Sequence, residues 1–290
     1  MKKILTTAFV IGSLYGTAHA AVITSPIYMP TSGEAISTLD VGYTKSSFDK
    51  ANNTTSNLAI EDEFEKSWNL NMDGKYGLND SMSLNYGFDF DFNREMEKLD
   101  QSAKLTNVYV GLTGRVVDAD ANKLDILFNV GQQAEKYWLE YANDQMFADL
   151  AVRYGLDLDS YNMALSFGSK YTSEWKNDTA KIDDEFNFFA KLENEFIFTD
   201  SLTMGIDLFY TYNPKNTYND GVDKQSYKSF SEYGLNIDLN YALNDNNYLG
   251  IYFGMTDNDI DQDFINDDGD TLNYKDLTEY NGGVRLTTRF

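Results

Sequence analysis

The chemical group that recurs most visibly in this sequence is a carboxylate separated from the next by a single residue. Asp89 and Asp91 bracket Phe90, Glu193 and Glu195 bracket Asn194, and Asp257, Asp259, Asp261 and Asp263 continue the same two-residue step. A carboxylate of shifted pKa can act as a general acid or base, yet no spacing here isolates a nucleophile beside one. Histidine occurs once, as His19, and cysteine is absent, so thiolate metal sites and disulfides are both excluded. Electrostatics is what remains for the acids to do. With 46 acidic against 23 basic side chains and a net charge of −23, the chain lacks the Lys and Arg patches that phosphates demand, which argues against nucleic acid. Its natural counterparts are cations.

A two-residue step is the period of a β-strand. Over residues 82–93, Met82, Leu84, Tyr86, Phe88, Phe90 and Phe92 take one face, and Ser83, Asn85, Gly87, Asp89, Asp91 and Asn93 the other. Residues 64–78 repeat the pattern, with Phe64, Trp68, Leu70, Met72, Tyr76 and Leu78 opposed to Glu65, Ser67, Asn69, Asn71, Asp73 and Lys75. Asn79-Asp80-Ser81 between them reads as a tight reversal, so the pair is a predicted hairpin. Alternation this long suits a strand that meets lipid on one face and an enclosed interior on the other.

Further alternating segments lie at 35–48, 104–117, 123–132, 147–158, 162–175, 185–198, 202–212, 229–243, 248–256 and 274–290. The predicted fold is all-β: a transmembrane antiparallel up-and-down β-barrel of about twelve strands. Connections after even strands are short, as at Asp118 to Asn122, Asp159 to Tyr161, Thr199 to Ser201 and Asn244 to Asn247. Those after odd strands are longer and more polar: Asp49 to Asp62, Arg94 to Ala103, Asn213 to Lys228 and Asp257 to Asn273. Short turns belong at the periplasmic side, which predicts both termini there. Pro26, Pro30 and Pro214 all avoid the strands, so no ladder loses a donor. A soluble sandwich or lipocalin-like barrel has no reason to alternate its connections so regularly. Ala134 to Met146 departs from the rhythm, because Tyr137, Trp138, Tyr141 and Ala142 are spaced as on a helix. Two readings stand there, an inward-folded helical loop and, preferred, a strand extension above the membrane.

At the start, Lys2 and Lys3 precede an apolar run from Ile4 to Tyr15, and Ala18-His19-Ala20 closes it. That is a signal-peptide pattern, predicting a cleaved segment 1–20, a periplasmic leader 21–33 and a barrel 34–290. The run is too short for a membrane-spanning helix.

The last segment, Tyr280-Asn281-Gly282-Gly283-Val284-Arg285-Leu286-Thr287-Thr288-Arg289-Phe290, puts Tyr280, Val284, Leu286 and Phe290 on one face and ends in an aromatic residue. It resembles the C-terminal assembly signal of bacterial outer-membrane proteins. With the signal-like start and the strand pattern, the chain resembles the porin-like outer-membrane β-barrels over its whole exported length. That resemblance implies insertion by the barrel assembly machinery through Phe290, and a home among outer-membrane lipids and lipopolysaccharide. Known barrel enzymes of this class resemble one another in using histidine as proton carrier, which the exported part lacks, so no enzymatic activity is expected.

In this register the interior acids are Asp40, Glu65, Asp73, Asp89, Asp91, Asp125, Asp149, Asp157, Glu174, Glu185, Glu193, Glu195, Asp207, Glu232, Asp238 and Glu279. The interior bases are Lys75, Arg115, Arg153, Lys170, Lys191, Arg285 and Arg289. Acids outnumber bases by more than two to one, which predicts a cation-preferring diffusion channel for small cationic or neutral hydrophilic solutes, with no cofactor and no metal. Asp73, Asp89, Asp91, Arg153, Lys191, Glu193, Asp207, Asp238 and Arg285 are its expected lining. The alternative is a closed structural or adhesin-type barrel acting through its acidic outer loops. The stretch Asp257 to Asp270 is expected to be one such solvated loop, without the glycine that a helix-loop-helix calcium site requires. Trp68, Tyr76, Phe92, Trp175, Phe186, Phe198, Tyr210, Tyr212, Tyr241 and Tyr248 are expected in interfacial girdles. Few aromatics are expected inside, notably Tyr109, Phe189 and Phe209.

Overall fold

The computed structural model describes residues 23–53, 65–92, 103–137, 140–176, 181–219, 224–265 and 271–290. The expected signal peptide lies outside them. In chain order the strands are β1 (Ala35–Asn53), β2 (Glu65–Asn79), β3 (Met82–Phe92), β4 (Ala103–Ala119), β5 (Asn122–Tyr137), β6 (Glu140–Leu158), β7 (Tyr161–Thr172), β8 (Trp175–Lys176) and β9 (Lys181–Ile182). There follow β10 (Glu185–Thr199), β11 (Leu202–Asn213), β12 (Asn216–Asn219), β13 (Lys224–Tyr227), β14 (Phe230–Asn244), β15 (Asn247–Ile265) and β16 (Thr271–Arg289).

The twelve long strands close into one antiparallel barrel in sequence order, and β8, β9, β12 and β13 form a separate four-stranded sheet. The seam is made by β1 against β16, with Leu39 opposite Leu286 and Asp40 opposite Arg285. Ala35 and Phe290 finish it by exchanging backbone hydrogen bonds of 3.2 and 2.8 Å. Closure leaves the barrel no free edge, the condition for strands to cross hydrocarbon, where an unpaired backbone group costs several kcal/mol.

Turns at residues 80–81, 120–121, 159–160, 200–201 and 245–246 gather at one end with both barrel termini. Asp120 takes a left-handed φ of 43° in one of them, a conformation that a short acidic side chain tolerates in a tight reversal. The long connections occupy the other end.

The alternation that predicted β3 and β6 is realised as an inside-out protein. Along β6 Val152 is 48% and Tyr154 40% exposed, while Arg153 between them is 5% exposed. Leucine, valine and phenylalanine thus form the outer surface, and the buried interior is dominated by Ser, Thr, Asn, Asp and Arg. An apolar exterior of this extent is a lipid-facing surface.

One reading is selected and two boundaries change. Residues 134–137 and 140–146 are backbone of β5 and β6, so the helically spaced segment is the outer part of a hairpin, the strand-extension reading. Strand β15 runs to Ile265, so Asp257 is paired with both neighbours in the barrel wall and Asp259, Asp261 and Asp263 ride on the continuation of the strand past its pairing with β14. They are not a loop, although 266–270 lies outside the described residues. The connection Asn213 to Lys228 carries β12 and β13, strands of four residues each, too short for a periodicity to show.

Candidate functional site

The lumen is an enclosed polar space, and the chain's own leader enters it. Ile23 packs with Ile36, Ile197 and Tyr248 in a buried apolar cluster at the short-turn end. Thr24 donates to Glu195 at 2.6 Å, and the Ile27 carbonyl accepts from Arg115. Lys75 donates to the Tyr28 carbonyl at 3.3 Å. The segment then turns at Gly33, whose φ of 84° suits glycine, and enters β1. Residues 23–33 therefore cross the mouth from β10 to β4 and back to β2. Tyr28 donates to Glu34 at 2.8 Å, and burial together with that carboxylate pushes the phenol pKa up. Burial pushes Glu34 up as well, yet its carboxyl is held below the ordinary value by hydrogen bonds from the Thr31 amide and from the Tyr28 and Thr31 hydroxyls, and by the charge of Arg289.

Above this floor is a cavity of about 400 Å³, lined among others by Asp73, Lys75, Tyr109, Arg153, Lys191, Glu193, Asp207, Asp238 and Arg285. Its charges are largely paired. Arg285 meets Asp40 at 2.8 Å and Asp238 at 3.9 Å, and Lys191 meets Glu193 at 2.7 Å and Asp207 at 3.5 Å. Asp125 is gripped by Arg115 at 2.8 Å and Arg153 at 2.7 Å, all three side chains being almost wholly buried. Arrays of this kind rigidify a wall, because each member satisfies a neighbour that would otherwise be buried and unpaired.

Toward the long-connection end the pattern changes. Asp89 accepts from Asn107 at 3.0 Å, Asp149 from Asn129 at 2.9 Å, and Glu279 from Ser46 at 2.8 Å. Their partners are neutral, so the hydrogen bonds leave the negative charge in place. Lys170 stands nearby but donates to Gln133.

Five of the inward aromatic rings share one arrangement: Tyr109, Phe147, Phe189, Phe209 and Tyr252. Each faces a glycine directly across the ladder, namely Gly87, Gly131, Gly168, Gly234 and Gly283. A Cβ on Gly87, Gly131, Gly168 or Gly234 would meet the facing ring at 2.4 to 2.8 Å, and one on Gly283 would meet the Tyr252 hydroxyl at 2.8 Å. The rings therefore fold flat onto the neighbouring strand, which keeps them from projecting across the bore.

The structure gathers seven of the nine expected lining residues around the cavity: Asp73, Arg153, Lys191, Glu193, Asp207, Asp238 and Arg285. Asp89 and Asp91 lie farther along β3, near its outer end. Glu174 is not on the lumen wall: β7 stops at Thr172, and Glu174 pairs with Lys181 at 2.9 Å in the connection beyond it. Tyr248 is not a girdle residue either. Leu249, Ile251 and Phe253 point outward on β15, so Tyr248 points inward, where it is 8% exposed. Trp68, Tyr76, Phe186, Tyr210, Tyr212 and Tyr241 are outward and exposed as expected. Phe147 and Tyr252 were missed as interior aromatics; their signal, a glycine cross-strand on the same face, emerges only once the register is known. Among the described residues no group of His, Cys, Asp or Glu converges as a metal site.

A closed twelve-stranded sheet that is apolar outside and polar inside is a membrane-spanning barrel of the bacterial outer-membrane type. No protein-family model and no curated protein sequence matches the chain. Among solved structures, an outer-membrane channel from Pseudomonas putida F1 superposes with a TM-score of 0.59 at 14% identity, covering 95% of this chain and 99% of that one. The translocator domain of the autotransporter NalP from Neisseria meningitidis gives 0.50 at 8% identity, covering 100% and 94%. At these identities the likeness is one of fold.

Proposed function

We propose that the protein is an outer-membrane channel for passive diffusion of small hydrophilic solutes, with a preference for cations. The observation that carries this reading is the contrast along the lumen. Nearer the short-turn end Asp40, Asp125, Glu193, Asp207 and Asp238 meet arginine or lysine, with Glu195 held instead by Thr24 and Asn162, whereas Asp89, Asp149 and Glu279 nearer the long connections are held by amides and a hydroxyl. Uncancelled charge on a low-dielectric wall concentrates cations. The fold match to a protein described as an outer-membrane channel supports conduction. In this reading the short-turn end faces the periplasm, the leader narrows that mouth, and the side chain of Phe290, 76% exposed at the seam, is presented to the assembly machinery. The protein acts without catalysis.

The leader favours one competitor, a closed barrel working through its long connections, because it lies across the path. Purified protein in a planar bilayer separates the two. The channel reading expects stable conductance steps, and insertion without steps supports the closed barrel.

A further inference from the structure

Two of those five lumenal rings are already occupied by cations of the chain itself. The Lys170 ammonium sits 4.6 Å from the centroid of Phe147, and the Arg285 guanidinium lies 5.2 Å from that of Tyr252. Both distances fall within the range at which a ring quadrupole attracts a cation. Tyr109 is engaged through its hydroxyl, which donates to Asp73 at 2.5 Å. Phe209 has no such cap among the described residues, and its ring, laid on Gly234 of β14, shows its other face to the lumen.

Carboxylates outnumber bases around Phe209: Lys191 faces it across the ladder from β10, but its ammonium is drawn to Glu193 and Asp207. Glu232 stands two residues beyond Gly234 on the same face of β14, and it makes no hydrogen bond or ion pair with a described residue. Glu232 faces Asn258, and Glu279 faces Thr256, so the two carboxylates flank β15 at neighbouring positions. Asp207 lies two residues from Phe209 on its own strand. Phe189 differs in the strand its ring lies on: Gly168 is two residues from Lys170 on β7, where Gly234 is two residues from Glu232 on β14.

We infer that Phe209 and Glu232 form a binding site for the cationic head of an organic solute, an alkylammonium or quaternary ammonium group, on the path through the barrel. The ring supplies an apolar, electron-rich face, and the carboxylate supplies the counter-charge. A small inorganic cation, strongly hydrated, gains little from the ring and passes. The inference rests on the channel reading and adds a class of solute to it.

The test is block of potassium conductance by tetraethylammonium in planar bilayers. The wild type should show saturable block. Phe209→Leu should raise the half-blocking concentration about tenfold, the order expected for losing one partly desolvated cation–π contact. Glu232→Gln should weaken block in the same direction, whereas Phe209→Tyr should retain it and Phe189→Leu should leave it unchanged. A wild type that conducts potassium without saturable block overturns the site and spares the channel. Equal loss of block in Phe189→Leu and Phe209→Leu overturns the assignment to Phe209. A wild type that inserts silently overturns the channel and the site together.

Discussion

The Thr24 hydroxyl donates to Glu195 at 2.6 Å, joining residues 171 positions apart in sequence inside the barrel. With the Arg115 contact to Ile27 and the apolar seat of Ile23 against Tyr248, it fixes the leader across the short-turn mouth. A variant lacking residues 23–33 should still fold, since the ladder from Ala35 to Arg289 is intact without them, and its unitary conductance should exceed that of the wild type. Single-channel recording checks this; equal conductances would mean that the leader leaves the path clear.

Glu34 makes the leader's docking depend on pH in a definite direction. Its folded pKa lies below the ordinary 4.5, so its contribution is complete above the ordinary value and lost as pH falls through the lowered one. Protease cleavage within residues 23–33 should therefore rise only in acid below the ordinary glutamate range. In Glu34→Gln it should already be raised at neutral pH and respond less to acid.

The buried Asp125 sits between two arginines. Asp125→Ala leaves both charges without their partner in a wall closed off by the leader, and should destabilise the barrel by about 3 to 5 kcal/mol. Urea unfolding in lipid vesicles, followed by the shift in gel mobility, measures it. A change within error would show that water reaches this cluster freely.

Neighbouring residues on β3 should respond in opposite ways. Asp89→Lys combined with Asp91→Lys adds positive charge to the lumen and should lower cation selectivity while leaving insertion intact. Phe90→Lys faces lipid, where a cation at mid-depth costs about 2 to 4 kcal/mol, and should impair assembly. Selectivity and folded yield, measured on both variants, check the inside and outside faces together.

How far the sequence could be read follows from where its rhythm is strict. Strand β3 was legible in both element and facing, because six apolar residues alternate with polar ones without interruption. Tyr248 was misplaced because it begins a strand, where an aromatic residue suits a girdle as well as an apolar seat inside, and parity alone decides. Glu174 was misplaced because β7 ends two residues before it, a boundary that alternation does not mark. The leader's course was invisible, since Ile23, Ile27 and Tyr28 have no period and bind groups far away in sequence. The glycine seats of the five rings were equally hidden, for they depend on which residues face each other across the ladder.

The most direct measurement of the central claim is the reversal potential of the purified barrel in a planar bilayer under a potassium chloride gradient. The account predicts a potential on the cation-selective side that shrinks as the salt concentration is raised and the wall charge is screened. A potential of zero, or one on the anion-selective side, would contradict it.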